Sequence, residues 1–160
     1  MTTSDYLLNI LLIGLVVLQI RGRRLNPVTL LLPLAVVGYV ASSYLHSFPT
    51  AGNDLLLELG CAAAGAALGV GCAITTHLER AADGSTIARA GFVAAALWIV
   101  GIGSRLGFEI ASTHGGGAAI GRFSVAHHIT GATPWVTALI LMAIAEVACR
   151  TGGLYLRSWL

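Results

Sequence analysis

Residues 55–76 read LLLELGCAAAGAALGVGCAITT, with Glu58 as their only charged residue. A hydrocarbon core about 30 Å thick is crossed by about 20 mostly apolar residues in a helix. The spacing therefore predicts a membrane-crossing helix here. The stretch is rich in alanine and carries Gly60, Gly65, Gly69 and Gly71. Gly65 and Gly69 stand four apart, the spacing that lets two helix backbones approach closely in lipid.

Four more stretches of this kind lie on either side, at 6–20, 27–45, 90–108 and 134–150. Pro27 fits a first helical turn, and Thr133 with Pro134 reads as an N-cap followed by a first-turn proline. The composition agrees. The chain of 160 residues is 56% hydrophobic and 10% charged, against roughly 25% charged in soluble domains. Its mean hydropathy is +0.84. The expected fold is all-α: one polytopic membrane domain over 1–160, a bundle of five transmembrane helices. An ordinary soluble enzyme and a disordered chain are excluded. A net charge of +2, thinly spread, gives no footprint for nucleic acid.

The first span lacks a basic leading region and is followed by Arg21, Arg23 and Arg24, so it reads as a retained helix rather than a cleaved signal. All nine basic residues are arginines. With alternating spans, Arg21, Arg23, Arg24, Arg80, Arg89, Arg150 and Arg157 fall on one side, and only Arg105 and Arg122 fall toward the other. The positive-inside bias then sets the N-terminus outside and the C-terminus inside. Trp135 at the outer boundary, and Tyr155 and Trp159 at the inner one, fit interfacial aromatic belts.

Two connections stand out. The inner one, HLERAADGSTIAR at 77–89, is centred on Asp83-Gly84 and reads as a hairpin or turn, or as a docking surface for a cytoplasmic partner. The outer one, 109–133, contains Gly115–Gly117 and is too short and polar for a sixth span. A lid, a short interfacial helix, a linker and an extension of the fifth span are the readings it allows. No internal repeat is present.

Charges inside the apolar stretches are the candidate site. Glu58 and Arg105 lie about one turn inside the outer ends of their spans. Opposite charges at one depth are expected to pair, with Glu109 as a competing partner for Arg105. Such a pair serves as a helix staple or floors an outward cavity. Glu146 precedes Arg150 by four residues, the spacing of a local pair near the inner interface. Gly65, Gly69, Gly103 and Gly107 are the expected packing positions, with Gly38 and Ser42 at the same spacing. His46, His114, His127 and His128 fall on the outer side as candidates for a ligand or pH site. His127 and His128 would face about 100° apart on a helix, and neither HxxxH nor HExxH occurs, so no metal site is predicted. Cys61 and Cys72 are about 16 Å apart along a helix, too far for a disulfide. Nucleotide-binding and hydrolase signatures are absent. No catalytic residue is assigned and no cofactor is predicted.

Three stretches carry a resemblance. Arg23-Arg24-Leu25 followed by LLLPLAVVGY, then LGVGCAITTHLERAADGS, then ALWIVGIGSRLGFE resemble the CcdC-like integral membrane proteins of bacteria over about residues 21–109. The positions that carry over are Arg105 and the Asp83-Gly84 turn. The resemblance implies a protein of the bacterial cytoplasmic (inner) membrane, of a kind associated by name with cytochrome c biogenesis, and it supplies no catalytic residues. The expected function is an accessory or interaction subunit without catalysis of its own. Its partners would be the lipid bilayer and a second copy or another membrane protein, with no nucleic acid. The competing expectations are a small transporter or channel near Glu58 and Arg105, and a haem- or redox-handling protein using the outer histidines.

Overall fold

The structure, a computed structural model, describes residues 23–24, 35, 38–39, 42, 51–82 and 86–159. The predicted spans at 6–20 and 27–45 lie outside them, except for the helical positions Ala35, Gly38, Tyr39 and Ser42. His46 and the Asp83-Gly84 turn lie outside them as well. The described chain is mostly helical. A short strand β1 (Arg23–Arg24) comes first. Helix α1 (Asp54–Thr75), strands β2 (Thr76–Arg80) and β3 (Thr86–Ala90), and helices α2 (Phe92–Thr113), α3 (Gly117–Ala126) and α4 (Ala132–Trp159) follow. Helices α1, α2 and α4 are each long and apolar enough to cross a membrane, which marks the chain as a membrane protein.

Helices α1 and α4 form the centre. Gly65 lies against the backbone carbonyl of Met142, and Gly69 against that of Glu146. Further along, Gly153 faces Ala73. Both sets of numbers climb together, so the two helices run parallel. A Cβ at either α1 glycine would overlap backbone rather than a movable side chain. Glycine is therefore what permits this crossing, and in lipid such close packing is what holds helices together.

Helix α2 runs back along the pair. Gly71 faces Leu97, and the Cys72 thiol donates to the Ala94 carbonyl at 3.3 Å. Large apolar side chains such as Leu56, Ile74, Val93 and Ile99 point away from the bundle, as lipid-facing residues do.

The elements differ from the expected ones at their ends. Helix α1 stops at Thr75, because the Thr75 and Thr76 hydroxyls turn back onto the carbonyls of Gly71 and Cys72, at 2.7 Å each. Such back-bonding competes with helix propagation. The chain then enters an antiparallel β-hairpin with Thr76 opposite Ala90 and Arg80 opposite Thr86. Strand β1 pairs with β3 to give the order β1-β3-β2. The all-α expectation is thus amended by a small sheet across one end of the bundle. Residues 76 and 90, expected at helix ends, are strand residues. Helix α2 runs on to Thr113, five residues beyond the expected 108. Helix α4 covers Ala132–Trp159, so Pro134 sits inside the first turn, where its missing N–H goes unneeded.

Candidate functional site

The polar residues of the described spans fall into two groups. The deeper is built on Glu146 of α4. Its carboxylate is 3% exposed and accepts a hydrogen bond from Arg105 Nη2 at 2.9 Å, while the Arg105 side chain is 22% exposed. Gly101, one turn before Arg105 on α2, makes room for it. A Cβ there would come within 2.6 Å of both Glu146 carboxylate oxygens. Among the described residues, Glu146 Oε1 and Arg105 Nη1 are buried without a hydrogen-bond partner. The ion pair therefore keeps one acceptor and one donor in reserve.

This corrects the expected pairing. Arg105 bonds Glu146 and not Glu58, and Glu109 is exposed on α2. Glu146 is buried rather than set at the surface, and its charge also acts on Arg150, four residues on. The physical reason is the parallel crossing of α1 and α4. It brings the Glu146 turn against Gly69, and α2 packs beside both. Glu58 remains buried at 2% exposure, and its Oε1 has no partner among the described residues. Sequence reasoning missed Gly101 and the Arg105–Glu146 match. A signal was present: Gly101 and Arg105 are four apart and share a helix face, and Glu146 is the only acidic residue after Glu109.

The second group sits where α1 and α4 begin. Asp54 is fully buried. Thr130 N–H donates to Asp54 Oδ1 at 2.9 Å, and the Thr130 hydroxyl donates to Asp54 Oδ2. Asn53 N–H donates to the His128 carbonyl at 3.1 Å, and Asn53 Nδ2 to the His127 carbonyl at 3.0 Å. Gly52, at φ +58°, packs against that same His128 carbonyl, a place and a conformation that only glycine fits. The segment 127–130 thus grips the start of α1.

Over this clamp lies an aromatic cluster. Trp135 stacks on Phe108 with ring centroids 4.8 Å apart, and its indole N–H donates to Ser124 Oγ at 3.0 Å. Phe123 stacks on His127 at 4.0 Å. Helix α3 is therefore the short helix expected inside 109–133, seated on the bundle end by these contacts.

The histidines do not converge. His127 and His128 contribute their backbone carbonyls to the clamp, and the His114 ring contacts Thr113 Oγ1 at 2.9 Å. Among the described residues no three His, Cys, Asp or Glu side chains are placed to hold a metal ion. Cys61, Cys72 and Cys149 are free thiols. The packing positions divide. Gly65 and Gly69 are in close contact, whereas Gly103 and Gly107 have no described residue within 4 Å of where a side chain would begin. Gly101 is the α2 glycine that packs against α4. No protein family, curated protein or solved structure matches the chain.

Proposed function

We propose that this is a five-span protein of the bacterial inner membrane, N-terminus outside and C-terminus inside, acting as an accessory or interaction subunit without catalysis of its own. The observation that supports it is the use to which the buried polar residues are put. Asp54 ties α1 to the start of α4, and Arg105 with Glu146 ties α2 to α4. A bundle joined this way is a rigid platform in the bilayer. The CcdC-like resemblance and the arginine distribution support the location and orientation. Native purification in mild detergent tests the reading. A membrane partner, or a second copy, is expected at fixed stoichiometry, and a chain that runs as a lone monomer in every mild detergent overturns it.

A second reading rests on Glu58. A carboxylate buried in a span with one oxygen unpartnered among the described residues is costly, and such residues commonly lie on a proton or solute path. With the reserve donor and acceptor of the Arg105–Glu146 pair, it would make a transport site. Reconstituted vesicles decide between the two. Proton or solute flux that Glu58→Gln abolishes, in a protein of unchanged stability, selects transport. Vesicles as tight as protein-free controls select the subunit.

A further inference from the structure

We propose that the sheet end of the bundle holds a binding site for the phosphate of an anionic lipid headgroup, between Arg80 and Arg157. A cavity of about 210 Å³ opens there, lined by Leu78, Glu79, Arg80, Thr86, Arg157 and Ser158. It is several times the roughly 30 Å³ taken by a water molecule.

Its depth follows from the helices. Helix α1 ends at Thr75 and α4 at Trp159, and the hairpin begins where α1 stops. Tyr155 and Trp159 form an edge-to-face pair at 5.9 Å in the last turns of α4, the residue types that settle at the headgroup level. A cavity between the hairpin and the end of α4 therefore lies where lipid phosphates lie.

Its chemistry follows from the register. Arg80 and Thr86 are directly opposite in the ladder, so their side chains share a face. Neighbouring positions alternate, which puts the Glu79 side chain on the other face, where its carboxylate lies 3.6 Å from Arg89. Glu79, the acid among the described lining residues, is thereby placed on the other face and paired with Arg89. Arg157 is anchored by its Nη1, which donates to the carbonyls of Ala73, Ile74 and Thr76, the last at 2.9 Å. Those bonds fix the guanidinium in place, and among the described residues no carboxylate pairs with it. Ser158 Oγ donates to the Tyr155 carbonyl at 2.7 Å, so Thr86 supplies the hydroxyl. Two guanidiniums and one hydroxyl around an open cavity suit the several oxygens of a phosphate, which arginine binds with two parallel hydrogen bonds. The position at the membrane interface selects a lipid phosphate over a soluble one.

The full chain in nanodiscs tests this. Phosphatidylcholine discs with and without phosphatidylglycerol are compared by native mass spectrometry of retained lipid. The wild type is expected to retain phosphatidylglycerol preferentially. Arg80→Gln is expected to lower that preference about fivefold, the worth of one arginine at an anionic surface, with no change in thermal stability. Thr86→Val lowers it in the same direction, through a residue whose loss changes no charge. Arg122→Gln, on α3 at the other end of the bundle, keeps the preference. Equal loss in Arg80→Gln and Arg122→Gln overturns the site in favour of diffuse charge attraction, and full retention in Arg80→Gln overturns it as well. Inorganic phosphate that protects the detergent-solubilised protein as well as phosphatidylglycerol does overturns the assignment to lipid.

Discussion

The two contacts of α4 are made by different physics. Against α1 it meets backbone with backbone, at Gly65 and Gly69. Against α2 it is joined by one charged hydrogen bond, Arg105 to Glu146, over the bare Gly101. The same four-residue glycine spacing occurs in both neighbours. On α1 it is filled by α4. On α2, Gly103 and Gly107 point away from every described neighbour, because the ion pair turns the Gly101–Arg105 face inward instead. A small-residue motif permits close approach; the charge on the helix decides which face uses it.

Substitutions can break that contrast. The largest effect is expected at the crossing. Gly65→Leu or Gly69→Leu puts a side chain into the backbone of α4, which no rotamer relieves. The loss should exceed the roughly 3 kcal/mol of ordinary overpacking, seen as failure to recover monodisperse protein. Next is the ion pair. Arg105→Leu leaves Glu146 facing an apolar layer, at a cost of about 2.5–3.5 kcal/mol on insertion scales. The double variant Arg105→Leu with Glu146→Leu should regain most of it, since both charges are gone. A double variant no more stable than the single one, in reversible unfolding from micelles, would show that the pair does not join α2 to the bundle. Smaller again is the clamp. Thr130→Val removes a hydroxyl from the buried Asp54 and should cost about 1.5 kcal/mol, read as faster amide exchange at the start of α1. The smallest effect is expected at the idle glycines. Gly103→Ala and Gly107→Ala should be neutral or stabilising by up to about 1 kcal/mol from helix propensity. Destabilisation equal to that of Gly65→Ala would mean that a second helix covers this face.

How much was readable from the sequence depended on the range of the interaction. The apolar runs of α1, α2 and α4 announce themselves by length and composition, whereas the short helix in 109–133 was one of four readings which that stretch allowed. Gly65 and Gly69 were legible as packing residues because backbone approach needs small side chains wherever the partner comes from. Choosing between Gly101, Gly103 and Gly107 was not possible, since it depends on helix rotation. Rotation is set here by Glu146, 41 residues along from Arg105. Depth alone suggested Glu58 as the partner of Arg105. The missing quantity was the parallel register of α1 and α4, which no local pattern encodes. The sheet was half visible: the turn was expected, but the strands were hidden by residues 76 and 90 looking like helix ends.

The clamp and the cap on α1 also impose an order in time. Asp54 waits for Thr130, 76 residues later, and the carbonyl of Ala73 waits for Arg157, 84 residues later. At synthesis rates of about 5–20 residues per second, α1 spends roughly 4–17 s on the ribosome-bound chain before either end can be closed. Through that interval its glycine face and its two buried acids must be tolerated by lipid, by the insertion machinery or by an earlier part of the same chain. Helix α4 therefore completes α1, made well before it, and a chain truncated before Arg157 should be handled by the cell as unfinished.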